Sequence, residues 1–159
     1  MISAEVRAAA YPIGFVADVD PHIGLAERWQ MLTQPMRNVI GDVPEVIDKS
    51  GWLHDDPRVG VWLMPDNEAN GAIEDFIRQI KLAGSEALWG YAVESTARSR
   101  SFGSTFRDVD CRKAEVHTFL GWQDPPGLRY GEAVSRGCFD HEADLAKRFV
   151  SWFKRLYSI

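Results

Sequence analysis

Hydrophobic positions along this chain follow two periods, and the alternation between them lays out the elements. "IGFVA", residues 13 to 17, is an apolar run bounded by Pro12 and by polar residues. Such a run reads as a buried strand of the kind found inside parallel sheets. "VGVWLM", residues 59 to 64, is a second one, β-branched and apolar throughout. Elsewhere the spacing is helical. Leu25, Trp29 and Leu32 stand at i, i+4 and i+7, with Pro35 ending or kinking that helix and a short continuation to about Ile40. Ile73, Phe76, Ile77 and Ile80 form a core-facing stripe in a helix that opens near Asn70. "SEALWGYAVESTA" and "RKAEVHTFLGWQ" read as two more helices, with an exposed loop over 99 to 110 between them and "DPPG" as the stop. Leu145, Phe149, Trp152, Phe153 and Leu156 share one face of a final helix. Residues 3 to 10, "SAEVRAAA", are good helix formers. Residues 41 to 58 read as loop, with a short strand at Glu45 to Ile47 and a turn at "DKSG".

Strong strands separated by helices predict an α/β fold with a small, mainly parallel sheet flanked by helices. At 159 residues the chain is expected to form a single domain, 1–159. No apolar stretch approaches the roughly 18 residues of a membrane span, and the N-terminus lacks the pattern of a secretory signal. Cys111 and Cys138 have neither disulfide nor metal-ligand spacing and read as free thiols, so a cytoplasmic protein without a membrane partner is expected. The net charge of −5 argues against coating by nucleic acid over the whole surface. That average hides an asymmetry. Residues 98 to 113 carry a net +3, residues 141 to 159 a net +2, and the remainder −10.

Both apolar strands end in acids: Asp18 and Asp20 after the first, Asp66 after the second, with Glu74 one to two helical turns further on. In open α/β sheets ligands collect at the carboxyl ends of strands. Carboxylates converging there repel one another unless a cation lies among them, which points to Mg²⁺ or Mn²⁺. Each acid also has a plainer reading. Asp20 is an N-cap before Pro21; Asp66 belongs to a Pro-Asp-Asn turn; Glu74 complements a helix dipole. Asp18 is the hardest to explain away, because an unpaired carboxylate ending a buried strand is costly. Lys113 begins a helix behind the basic loop, either as a surface lysine or as a group that neutralises a phosphate. His22, His117 and His141 suggest no special role, and no Ser or Cys nucleophile motif, Walker loop or dinucleotide fingerprint is present.

"GFVADVD" is similar to the D-x-D motif of Toprim domains, the metal-binding α/β module of topoisomerases, bacterial primases and related nucleases. With "RVGVWLMPDNEANGAIEDF", "KAEVHTFLGWQDPPG" and "FDHEADLAKRFVSWFKRLY" in order, nearly the whole chain resembles a prokaryotic Toprim-like family related to the nuclease part of overcoming-lysogenization-defect proteins. The resemblance implies Asp18 and Asp20 as metal ligands, Asp66 and Glu74 as ligands of a second ion, and Lys113 as the active-site lysine beside a catalytic Asp18. It implies two-metal phosphodiester hydrolysis dependent on Mg²⁺ or Mn²⁺. The partners it implies are nucleic acid, a second copy of the chain or an ATPase partner protein. A Toprim domain also has an earlier strand carrying a glutamate. Only eleven residues precede Pro12, so the sequence is expected to start inside the module. Two further expectations belong to other classes. One is a non-catalytic partner-binding or oligomerisation module derived from this fold. The other is a phosphatase of the haloacid-dehalogenase type with Asp18 as nucleophile, Asp20 as acid and Lys113 as charge partner, although "DPH" departs from the usual D-G-T.

Overall fold

The computed structural model describes residues 11–159, so the helix expected over residues 3 to 10 lies outside them. The elements run β1 (Ile13–Asp18), α1 (Leu25–Ile40), β2 (Trp52–Asp55), β3 (Arg58–Met64), α2 (Ile73–Gln79), α3 (Glu86–Ser99), α4 (Cys111–Gly121), α5 (Tyr130–Ser135) and α6 (Asp144–Tyr157). The fold is mixed α/β. The described residues up to Phe76 together with Asp144–Ile159 make one compact unit, and Ile77–Ala143 make a second.

The first unit holds a three-stranded open sheet in the order β1-β3-β2. β1 and β3 are parallel, in a register that sets Ile13 against Val59 and Asp18 against Met64. β2 runs antiparallel to β3, joined to it by the Asp56-Pro57 turn. A mainly parallel sheet was expected, but one of the two pairings is antiparallel. The expected strand at Glu45 to Ile47 is absent: Ile47 is buried as part of an irregular segment, and the strand forms after the "DKSG" turn instead. Tertiary packing of Val43 and Ile47 against the sheet satisfies that apolar stretch without strand geometry.

Alternation gives β3 two buried faces, whereas β1 shelters only its α1 side and leaves Gly14, Val16 and Asp18 exposed. Phe15, Ala17, Val19, Val59, Val61 and Leu63 point toward α1, where they pack with Trp29 and Met36. α1 continues through Pro35 to Ile40 as one helix. Pro35 can donate no bond to the Met31 carbonyl four residues back, but Met31 is on the wet side, where water can take that place. The opposite face receives α6: Trp62 meets Phe149 and Trp152 at ring-centroid distances of 5.2 and 5.9 Å. Phe153, expected in that core stripe, is 42% exposed and meets Tyr157 in a tilted ring contact at the surface.

The second unit is helical. α3 packs on α4 through Trp89 and Phe119, whose rings are 4.7 Å apart, and Phe139 adds a third ring. Two short 3₁₀ turns, Arg100–Phe102 and Asp108–Asp110, lie in the segment expected as loop. α5 had no signal in the hydrophobic pattern. Glu115 is buried there and accepts from Arg112 at 3.1 Å, with Arg78 at 3.8 Å.

Candidate functional site

The acids of interest in the first unit emerge where β1 and β3 end. Because the strands are parallel neighbours with Asp18 level with Met64, the segments that carry Asp20 and Asp66 leave the sheet from adjoining positions. Asp18 ends the edge strand on its exposed face, and its Oδ1 accepts from the Ile73 amide at 3.2 Å. Beyond it, Val19 is fully buried and exchanges two backbone hydrogen bonds with Gly71, at 2.8 and 2.9 Å. Those bonds fasten the loop after β3 across the end of β1.

Asp20 does not cap a helix that opens at Pro21. Its carbonyl accepts from the amides of Ile23 and Gly24, and α1 begins only at Leu25. The Asp20 carboxylate instead takes a 2.6 Å ion pair from Arg28, in the first turns of α1. Asp66 shows the expected turn chemistry: its Oδ1 accepts from Glu68 and Ala69 amides at 3.0 and 2.8 Å. Glu74 is only 7% exposed whereas Ile73 is 37% exposed, the reverse of the predicted stripe. The capping acid of α2 is Asp75, whose Oδ2 accepts from Ala72 at 3.0 Å, and the apolar face begins one turn later than the spacing indicated. Lys113 is exposed in the first turn of α4 and belongs to the second unit. Among the described residues, no three His, Cys, Asp or Glu side chains are grouped so as to hold a metal ion.

Sequence reading missed Asn67. It is buried, adopts a left-handed φ of 66°, and its Oδ1 accepts from Leu63 at 2.7 Å while its Nδ2 donates to the Lys49 carbonyl at 3.3 Å. Asn tolerates that conformation better than most residues, and here it ties the end of β3 to the turn before β2. Its only trace in the sequence was its place in "PDN". That turn is itself organised by Asp48, whose carboxylate accepts from both the hydroxyl and the amide of Ser50. These bonds, the hydroxyl first, hold the Asp48 carboxyl below the usual range, with smaller help from the charges of Lys49 and Arg155. In the second unit, Arg107 does the same for Asp110 and is itself raised by it. His117 stacks on Tyr130, His141 lies 3.7 Å from Glu142, and both cysteines are free thiols, as expected.

The fold and these strand ends define an α/β protein with an open mixed sheet and an acidic carboxyl edge. The chain belongs to the DUF3226 family, described as a protein of unknown function, whose model matches residues 3–158. No curated protein and no solved structure matches it. Among the described residues, no helix is long and apolar enough to cross a membrane.

Proposed function

We propose that this chain is a Toprim-like module that takes up Mg²⁺ or Mn²⁺ at the acidic ends of β1 and β3, in support of phosphodiester hydrolysis. The observation behind this reading is the parallel pairing of β1 with β3, which sends Asp18 and Asp66 out of the same end of the sheet. Magnesium is commonly bound by one or two carboxylates, with water and substrate phosphate completing its shell. The residues present fit that sparse form. Asp18 and Asp66 are the ligands to assign; Asp20 is committed to Arg28 and Glu74 is buried. A cation bound there would polarise a phosphodiester and ease deprotonation of water. The chain's own groups set the stage: the Ile73 amide orients the Asp18 carboxylate, and the Glu68 and Ala69 amides hold Asp66 by one oxygen.

Calorimetry with Mn²⁺ and Mg²⁺ tests this. Saturable binding in the wild type that Asp18→Asn removes is the expected result; equal weak heats in both proteins overturn it.

One observation favours a second reading, the partner-binding module. Among the described residues β1 pairs on one side only, and Val16 on it is 49% exposed. Open edges invite another strand, and a second copy of this chain is the partner proposed. Light scattering should then show a dimer that Val16→Lys disperses, whereas a monomeric wild type rules it out.

A further inference from the structure

The first unit carries a second feature, on the far side of the sheet from β1. A groove of about 650 Å³ runs between α6 and the turn that precedes β2. Lys49, Lys147, Arg148 and Arg155 line it, against Glu68 and Asp144. Four cations against two acids give that wall a net positive charge in a chain of net −5. The residues that α6 contributes, Asp144, Lys147, Arg148, Ser151 and Arg155, recur at i, i+3, i+4, i+7 and i+11, so they share one face of the helix.

The wall is also rigid. Arg148 donates through Nη1 to the Lys49 carbonyl and to Glu68, at 3.3 and 3.2 Å, and Arg155 through Nη2 to the Ser50 carbonyl at 3.0 Å. Beneath them, Gly51 (φ 76°) lies so close to the Trp152 indole that a Cβ there would come within 2.5 Å of it. Trp152 is itself fully buried, and its Nε1 donates to the Trp52 carbonyl at 3.1 Å. The guanidiniums are therefore fixed to the backbone, while Lys49 and Lys147 are exposed residues. Arginines held to the backbone with exposed lysines beside them suit phosphate oxygens, which accept from both.

We infer that this groove binds the phosphate backbone of duplex nucleic acid without reading its sequence. The groove is open and elongated along a helix, which matches a continuous run of phosphates better than one enclosed small anion. The inference stands on the α6 wall and is independent of the cation site. It is accordingly tested in EDTA, where failure of the metal reading has no influence.

Fluorescence anisotropy with a labelled 20-base-pair DNA, from about 50 to 200 mM salt, gives the affinity and its salt slope. The double variant Lys49→Gln/Lys147→Gln should bind at least about tenfold more weakly at low salt, with the slope of log K against log salt shallower by about two. The control Lys81→Gln/Lys154→Gln removes the same charge elsewhere and should keep the wild-type slope; circular dichroism melts confirm that both variants fold. Absence of duplex binding by the wild type overturns the inference. So does an equal loss in the control, which would show general charge rather than this groove. Displacement by inorganic phosphate or binding to phosphatidylserine vesicles, without binding to DNA, overturns it as well.

Discussion

The two faces of the sheet are each covered by one helix, and they are built in different ways. Toward α1 the strands present Val, Leu and Phe side chains that interlock with Trp29 and Met36. Toward α6 they present Gly14 and Gly60 side by side, where the helix comes close to the backbone, and next to them the single large ring of Trp62, which meets Phe149 and Trp152. A Cβ on Gly60 would meet Leu53 at 2.9 Å and Leu156 and Trp152 at 3.1 Å. Each face keeps one fully buried tryptophan whose indole donates to a carbonyl: Trp29 to Pro44 and Trp152 to Trp52. The lesson is that the first helix is held by mainly aliphatic volume all along the strands, whereas the last is held by a cluster of rings and by close approach at two glycines. Only the close one carries a basic outer wall, because its inner side brings α6 next to the turn at Asp48–Gly51.

The comparison can be broken most forcefully at the tryptophans. Trp29→Ala and Trp152→Ala should each cost about 3–5 kcal/mol in denaturant unfolding. Retention of stability by either would mean that its helix is not anchored as described. Gly60→Ala comes next, at about 1–3 kcal/mol from overpacking. The same addition at Gly90, which meets no neighbouring atom within 4 Å, should cost nothing or add stability. If Gly60→Ala were equally harmless, the close approach of α6 would not be part of what holds it.

Asp18→Asn should have a smaller effect, about 0.5–1.5 kcal/mol, since an amide oxygen can still accept from Ile73. A thermal melt checks this and shows that the metal-binding variant is folded. The smallest effect is at Asp48. Its carboxyl is lowered in the folded protein, so its stabilising contribution is full above the ordinary value of 3.8 and is lost as pH falls through the folded one. Stability measured from pH 6 to pH 2 should therefore fall less steeply in Asp48→Asn than in the wild type. An unchanged slope would show that Ser50 does not favour the charged form.

The hydrophobic periods in the sequence located β1, β3, α3, α4 and α6 and the acids at the strand ends, because burial on a strand or a helix leaves its mark at every second or every third to fourth position. They did not locate β2, which is four residues long and partly exposed, or the short α5. Nor did they show that Ile73 would face water while Glu74 is buried, since that rotation is imposed by the contacts at the start of α2. The fate of each acid was also beyond their reach. Whether Asp20 meets Arg28, or Asp66 folds back on its own loop, depends on where the following backbone turns. The composition showed that the C-terminal segment is basic. Only the packing of Trp152 under Gly51 decided that its arginines would face Lys49 across a groove, because residues about one hundred positions apart are brought together by the tertiary structure and by no local pattern.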